Sequence, residues 1–219
     1  MFSKTLLRAL CCLFVVTLAC GVLMAQDLKI APKPNHVTLV APYVDHSLPP
    51  ANVTIFSNLG PTPTNNYNAA AGGYYVCGIS CAALLADQWI GVQFYNKVAD
   101  HATTLQAAIG YDSGTKKVTL GLYTDNAGVV GTLLAQASTT RIPNTGTCCQ
   151  LVQVTIPSTA LTAGTNYWVV ATSDDVGAPD FEGVWQASNQ ANIGGNVSQG
   201  GWFTFSGLTP AFAVKGTNP

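Results

Sequence analysis

Several short segments of this chain alternate apolar with small or polar side chains at every second residue, and this period limits the fold more than any other feature. In segment 117–124, valine and leucine alternate with threonine, glycine and tyrosine, and segment 88–95 has the same period. Successive side chains of an extended chain point to opposite faces, so a period of two is typical of a β-strand. Turn-forming residues at 112–115 and 125–128 border such segments. The pattern predicts strands joined by short turns.

About ten strand-like segments occur between residues 54 and 216, and no segment of helical period and length separates them. Strong helix formers are few, since Glu182 is the only glutamate, whereas valine, threonine, tyrosine and glycine are frequent. We therefore expect an all-β fold: an antiparallel, jelly-roll-like β-sandwich after an N-terminal signal helix. Segments 104–111 and 117–124 are expected to pair as a hairpin.

An export signal is predicted for residues 1–25. Lys4 and Arg8 lead into an apolar run at 9–24, and Ala25 precedes a polar pair. This order of charge, apolar run and small residue is typical of a cleaved signal peptide. No second apolar stretch of spanning length follows, so we expect no transmembrane segment in the mature chain. The expected location is secreted, periplasmic or at the cell surface.

Domain organisation after the signal is expected to be simple. A proline-rich, irregular lead at 26–53 precedes a single sandwich domain at 54–216, and 217–219 form a tail. Cys20 follows a small residue within the apolar run and offers an alternative to cleavage after residue 25. A lipid attached to Cys20 would hold the protein at a membrane.

Charged side chains are only 9% of the chain, against about a quarter in ordinary domains. Removal of Lys4 and Arg8 with the signal leaves seven lysines and arginines against ten acidic residues, a net charge of −3. The remaining cations are scattered along the sequence, so nucleic acid is not an expected partner. A surface of hydroxyl and amide side chains is expected instead, and such groups hydrogen-bond sugars well.

Four cysteines remain after the signal: Cys77, Cys81, Cys148 and Cys149. An even number in an oxidising compartment predicts disulfides. Either Cys77 pairs with Cys81 and the two adjacent cysteines pair with each other, or two bridges join the separate segments. A zinc site is the alternative, but CxxxC with an adjacent pair is poor spacing for four zinc ligands.

Two tryptophans near glycine, asparagine and glutamine are candidates for ligand binding. Trp185 and Trp202 offer flat rings on which sugar C–H faces stack, and Gln186 and Asn189 supply hydrogen bonds. The alternative is that these rings fill the core, as we expect for Trp168, which is predicted to lie between the sheets.

A dense acidic group, Asp174, Asp175, Asp180 and Glu182, has three interpretations. The carboxylates cap turns, hold a structural calcium ion, or act as an acid/base pair in glycoside hydrolysis. No catalytic residue is expected, because the sequence has no nucleophile motif of the Gly-x-Ser-x-Gly type to act with a histidine. No cofactor is expected other than a structural calcium ion at this acidic group.

The strand and turn motifs resemble those of a bacterial secreted domain family, the choice-of-anchor R domains. The similar segments are 108–111, 118–125, 131–135, 161–170, 183–185 and 210–214. The resemblance spans roughly residues 54–216 and implies a surface-associated protein without a defined molecular role. Family members carry a C-terminal sorting tail. Only five residues follow Val214, so free secretion or a lipid on Cys20 is expected in its place.

These features together predict an exported, non-enzymatic β-sandwich that serves as a cell-surface or extracellular binding module. Its expected partner is a glycan or matrix component, that is, a polysaccharide or another cell-surface component. One alternative is a purely structural or adhesive surface domain without a ligand site. A second alternative is a secreted hydrolase that uses the acidic residues at 174–182.

Overall fold

The computed structural model describes residues 52–78, 87–173, 180–190, 197–199, 203–205 and 208–219 of the chain. These residues form thirteen β-strands and no helix, which confirms the all-β prediction. The strands are β1 (Asn52–Ser57), β2 (Asn68–Cys77), β3 (Ile90–Asn96), β4 (Asp100–Ala107), β5 (Ile109–Ser113), β6 (Val118–Asn126), β7 (Val129–Thr139), β8 (Val152–Leu161), β9 (Thr165–Ser173), β10 (Glu182–Ala187), β11 (Val197–Gln199), β12 (Phe203–Phe205) and β13 (Phe212–Thr217). The predicted signal helix lies outside the described residues. Within them, no helical segment has the length and apolar character needed to cross a bilayer.

The described strands form three sheets in which all neighbouring strands are antiparallel. Sheet A has the order β1-β13-β4-β8, sheet B the order β2-β10-β5, and sheet C the order β12-β11-β3-β9-β6-β7. Side chains from all three sheets share one hydrophobic cluster, as expected for sheets packed face to face. The prediction of an antiparallel β-sandwich is therefore confirmed.

Alternate residues of the strands supply the main core between the sheets. In sheet C, Val92 lies opposite Val169, which also lies opposite Leu122, and all three are fully buried. Sheet A faces them with Phe212, whose ring centroid is 6.2 Å from that of Phe94. Because the side-chain period is two, a slip of one residue in any of these strands would move its apolar set to the other face. Burial of this core therefore fixes the register.

The predicted hairpin between segments 104–111 and 117–124 is wrong. The first segment is two strands, β4 in sheet A and β5 in sheet B, which meet at Ala108. The N–H of Ala108 donates to the carbonyl of Ala211 at 3.0 Å and holds this corner. The second segment lies in β6, between β7 and β9 of sheet C. Most of β6 is buried on both faces, which suits a central strand better than one arm of a hairpin.

Trp168 is buried, but it does not lie between the sheets as predicted. It belongs to a second, smaller cluster with Tyr123, Val130 and Val170 on the outer face of sheet C. The turn between β6 and β7 brings Val130 over Gly91, where a Cβ atom would lie 3.0 Å from a Val130 methyl. Glycine in β3 thus leaves the room that this outer cluster occupies.

The turn after β5 depends on Gly114. Its φ of 81° is in the left-handed region, which glycine adopts without a steric penalty. A Cβ atom at this position would lie 1.7 Å from the carbonyl oxygen of Asp180. The turn therefore packs directly on the backbone that leads into β10.

Candidate functional site

An open groove of about 260 Å³ lies at one end of the β6–β7 pair. Lys117, just before β6, and residues 138–141, at the end of β7, line it. Antiparallel pairing places the start of β6 beside the end of β7, with Val118 opposite Thr139. This feature is named the β6–β7 groove.

Hydroxyl groups line much of the β6–β7 groove. Ser138, Thr139 and Thr140 are lining residues, and Thr119 lies opposite Ser138 on β6. The two hydroxyl oxygens of that pair share a hydrogen bond of 2.7 Å. The backbone N–H of Arg141 donates to the Thr139 hydroxyl at 3.1 Å, which turns the chain at the end of β7. Because a hydroxyl has one donor and two acceptor positions, the Thr119–Ser138 pair retains hydrogen-bonding capacity for a ligand.

Three cationic side chains belong to this end of the β6–β7 pair. Lys117 and Arg141 line the groove, and Lys116 precedes Lys117 in the chain. The Lys116 ammonium lies 5.1 Å from the centroid of the Tyr111 ring and 3.4 Å from Asn144 Oδ1. A cation over an aromatic face is attracted by the ring, which holds Lys116 beside Tyr111 of β5. Asn144, its other contact, lies in the connection between β7 and β8. The strand pairing thus gathers cations that the sequence separates by more than twenty residues.

This cluster holds most of the positive charge in the domain. Residues 52–219 contain five lysines and arginines: Lys97, Lys116, Lys117, Arg141 and Lys215. Two of these five, Lys117 and Arg141, line the groove, and Lys116 lies beside Lys117 in the chain. None of the described residues that line the groove is acidic. The whole chain has a net charge of −1, so the groove is a local positive region on a nearly neutral protein.

The predicted aromatic ligand shelf is not present at Trp185. This side chain is fully buried in the core, and its ring contacts Phe212 edge-on with centroids 6.4 Å apart. Its Nε1–H donates to the carbonyl of Ala211 at 2.9 Å. The ring therefore has no free face for a sugar, and the core-filling alternative describes this residue.

Gln186 and Asn189 also have structural roles. Gln186 is buried, and its N–H donates to the carbonyl of Ala108 at 2.8 Å. The Asn189 amide donates to the carbonyl of Asn65 at 2.8 Å and ties two loops together. Trp202, the fourth residue of the predicted ligand site, lies outside the described residues.

The predicted acidic group is only partly described, because Asp174 and Asp175 lie outside the described residues. Asp180 is 5% exposed, and its side chain fills the space beside Gly78, where a Cβ atom would lie 2.5 Å from that of Asp180. Glu182, in β10, accepts a hydrogen bond of 3.2 Å from the Ser113 hydroxyl. Among the described residues, no group of three histidines, cysteines or acids is close enough to hold a metal ion. The calcium interpretation stays a prediction.

One histidine lies near a hydroxyl. His101 Nδ1 is 3.4 Å from Ser158 Oγ, on neighbouring strands of sheet A. Ser158 is exposed, so solvent competes for both groups. A distance of 3.4 Å is long for a nucleophile–base hydrogen bond, which is about 2.6–3.2 Å. This pair does not have the geometry of an activated serine.

One of the predicted disulfides, between the two adjacent cysteines, is present. Cys148 and Cys149 are bonded to each other, and Cys77 is disulfide-bonded as well. Because the adjacent pair is closed, no bridge joins it to the segment around Cys77. Cys81 lies outside the described residues.

A partly buried polar network stabilises the same sheet face that carries the β6–β7 groove. Asp125 Oδ1 accepts hydrogen bonds from Trp168 Nε1 and from Gln93 Nε2, both at 2.7 Å. Its other oxygen accepts from the N–H of Gly128 at 3.1 Å and closes the β6–β7 turn. Burial of the neighbouring Tyr123 raises the pKa of its phenol to about 12. These contacts hold β6 and β7 at the end opposite the groove.

The sequence pattern does not predict that the groove residues lie together, because the register of the β6–β7 pairing is irregular. Counting outward from the turn pair Asn126 and Val129 would place Val118 opposite residue 137. Two register irregularities between Leu122 and Asp125 place it opposite Thr139 instead. The turn at 125–128 was a usable signal for this pairing, but the irregularities cannot be read from a period-two pattern.

No protein-family model matches this chain, and a search of the curated proteins finds no relative. The resemblance to choice-of-anchor R domains thus stays a prediction from the quoted motifs.

Proposed function

We propose that this chain is an exported, non-enzymatic β-sandwich module that acts at the cell surface or outside the cell and binds a glycan or matrix component. The observation that carries the proposal is the β6–β7 groove, an open concave surface lined by hydroxyl groups and cations. Hydroxyl and guanidinium groups are suited to the many oxygen atoms of a polysaccharide.

The outer face of sheet A supports the same proposal. Gln106 on β4 and Gln153 on β8 are opposite each other, and the Gln106 amide donates to the Gln153 carbonyl oxygen at 2.7 Å. The adjacent pair on the same strands is Thr104 and Thr155. Of these four, Gln153 and Thr155 are exposed, and an uncharged polar surface of this kind suits a protein outside the cytosol.

A second candidate function is a purely structural or adhesive surface domain without a ligand site. Burial of Trp185 and Gln186 favours it, because the residues first predicted to bind a sugar instead pack in the core. The two candidates differ in whether the folded protein retains a polysaccharide.

Export is tested first, by expression of the full chain in a bacterial host and sequencing of the N-terminus of the product outside the cytoplasm. The proposal predicts a soluble product that begins at Gln26, since cleavage follows Ala25. A lipid-modified product that begins at Cys20 would instead place the protein on a membrane. An uncleaved cytoplasmic product contradicts the proposal.

Binding is tested by affinity electrophoresis of the exported protein through gels that contain polysaccharides of different chemistry. The proposal predicts that at least one polysaccharide slows the protein relative to a gel without it. A folded protein whose mobility is unchanged in neutral, carboxylated and sulfated polysaccharides would support the structural alternative. Circular dichroism with a β-sheet spectrum provides the control for folding.

A further inference from the structure

We infer that the β6–β7 groove selects acidic polysaccharides and binds their carboxylate or sulfate groups. The inference rests on the proposed glycan-binding function and specifies its ligand class. It follows from the cations at the groove, from the hydroxyl groups between them and from the absence of acidic and aromatic side chains among the described residues that line the groove.

Arg141 is the principal anion ligand in this inference. It lines the groove, its side chain is exposed, and its backbone is fixed by the 3.1 Å hydrogen bond to Thr139. A guanidinium presents a planar fork of N–H donors that matches two oxygens of one carboxylate or sulfate. A fixed backbone reduces the entropy lost when this fork engages an anion.

Lys116 adds a second charge at a defined place. Its ammonium lies near the Tyr111 ring of β5 and near Asn144, which is in the same β7–β8 connection as Arg141. Lys117, on the groove wall, is the third cation of this end of the β6–β7 pair. A polymer with repeated anions can contact several cations at once. After its first anion binds, the next anions are already held near the remaining cations, so their contacts add affinity at a low entropic cost. A single acidic monosaccharide lacks this gain.

The hydroxyl groups distinguish a sugar polymer from a simple anion. Ser138 and Thr140 are exposed beside the cations, and Thr119 is paired with Ser138. Each hydroxyl donates to and accepts from sugar hydroxyl groups. An acidic polysaccharide uses both kinds of group, whereas an inorganic anion uses the charges alone.

Neutral glycans fit the groove less well. Recognition of an uncharged sugar ring commonly uses an open aromatic face, and no aromatic residue is among the described residues that line the groove. The Tyr111 ring beside Lys116 is half-buried and has that ammonium 5.1 Å from its centroid. The exposed tyrosines of the described residues, Tyr75 and Tyr95, lie on β2 and β3 and are not among the residues that line the groove. The same lack of stacking residues disfavours single-stranded nucleic acid.

The test measures mobility shifts of the full exported protein with polygalacturonate, dextran sulfate and neutral dextran, at about 50 mM and about 500 mM salt. The inference predicts binding to both acidic polymers and not to dextran. It also predicts loss of binding at the higher salt, because salt screens exposed charges over distances of about 3–10 Å.

Two charge-matched variants locate the site. The double variant Arg141→Gln with Lys116→Gln removes one cation that lines the groove and one that lies beside it. It is expected to weaken binding about tenfold or more, since exposed charges act together on a polyanion. The control, Lys97→Gln with Lys215→Gln, removes the same net charge elsewhere: Lys97 lies in the turn after β3, and Lys215 lies in β13. It is expected to change binding less than about twofold. Equal weakening by both variants overturns the inference.

The outcomes separate this inference from the proposed function. Equal retention by dextran and the acidic polymers overturns acidic selectivity and leaves glycan binding in place. Retention by no polysaccharide, with a folded protein, overturns both. Binding of duplex DNA as strong as that of dextran sulfate shows a general polyanion surface and overturns the selection of polysaccharide.

Discussion

At the scale of single residues, Asp125 connects several strands through one side chain. Both of its oxygens accept hydrogen bonds, from Trp168 and Gln93 on one side and from Gly128 on the other. Trp168 is fully buried and Gln93 is 7% exposed, so their donors have little access to water. One carboxylate therefore joins β3, β6 and β9 and also closes the β6–β7 turn.

Replacement of this carboxylate, Asp125→Ala, is expected to lower the free energy of unfolding by about 2–4 kcal/mol. It leaves two buried donors without their acceptor, and hydrogen bonds to a charged partner are the stronger kind. Urea unfolding followed by tryptophan fluorescence measures the change. Asp112→Ala, at an exposed position near the end of β5, is the matched control and should change the free energy by less than about 0.5 kcal/mol. A cost below about 1 kcal/mol for Asp125→Ala would contradict this role.

Tyr123 predicts how stability depends on alkaline pH. Burial favours the neutral phenol and raises the pKa in the folded state to about 12, against about 10 in the unfolded chain. The stabilising contribution is fully present below about pH 10 and is lost as the pH rises through about 12, by at most about 2–3 kcal/mol. Tyr123→Phe cannot ionise, so its stability should fall less over this interval.

Urea unfolding at about pH 9 and about pH 11 measures this difference. Burial also raises the pKa values of Tyr67 and Tyr74, so a smaller alkaline loss should persist in Tyr123→Phe. Tyr95→Phe, at a position that is 51% exposed, is the control and should follow the unmodified protein. Identical alkaline profiles for Tyr123→Phe and the unmodified protein would show that the Tyr123 phenol ionises equally in both states.

At the scale of elements, the connection between β7 and β8 is held by hydrogen bonds as well as by its disulfide. The Tyr67 hydroxyl donates to the carbonyl of Thr147 at 2.9 Å, and the Asn66 amide donates to that of Cys149 at 3.0 Å. At its other end, the N–H of Tyr111 donates to the carbonyl of Pro143 at 2.7 Å. The connection is thus fixed against β5 and against the loop before β2.

The double variant Cys148→Ser with Cys149→Ser is expected to lower the free energy of unfolding by only about 1 kcal/mol. A bridge between neighbours closes the smallest possible loop, so it removes little entropy from the unfolded chain. The hydrogen bonds from Tyr67 and Asn66 to the carbonyls of Thr147 and Cys149 do not require the sulfur atoms. Guanidinium unfolding without reductant measures the effect and keeps the disulfide of Cys77 intact. A loss above about 3 kcal/mol would contradict this assignment.

Elements with a strong period and clear turns were predictable from the sequence. The alternation in β6 and the turn at 125–128 are local, and the structure has both. Strand partners were not predictable in the same way, because β5 and β6 are consecutive but lie in different sheets. Their separation depends on burial of both faces of β6, which arises only when β7 and β9 are in place.

The candidate site was less predictable than the fold, for a related reason. The sequence around Trp185 is rich in side chains that bind sugars, yet the Trp185 ring fills the core beside Phe212. Lys117 and Arg141 are far apart in sequence and meet only through the irregular β6–β7 register. Local composition predicts which side chains are available, whereas long-range pairing decides which of them lie together.

At the scale of the whole molecule, the sandwich places its apolar side chains in the core and presents a polar outer surface with few charges. Against this background, three cations beside the β6–β7 groove are a localised feature. Such an arrangement keeps nonspecific electrostatic attraction low elsewhere and gives an anionic polymer one preferred place to dock. The central claim is that the protein binds an acidic glycan at this place.

Nuclear magnetic resonance titration of the exported, isotope-labelled protein with a short oligogalacturonide tests this claim most directly. The claim predicts that the amide resonances that move most belong to Lys116, Lys117 and residues 138–141, with little change in β1 and β13. Shifts centred on the segment around Trp185, or no shifts in a folded protein that gives a dispersed β-sheet spectrum, would contradict it.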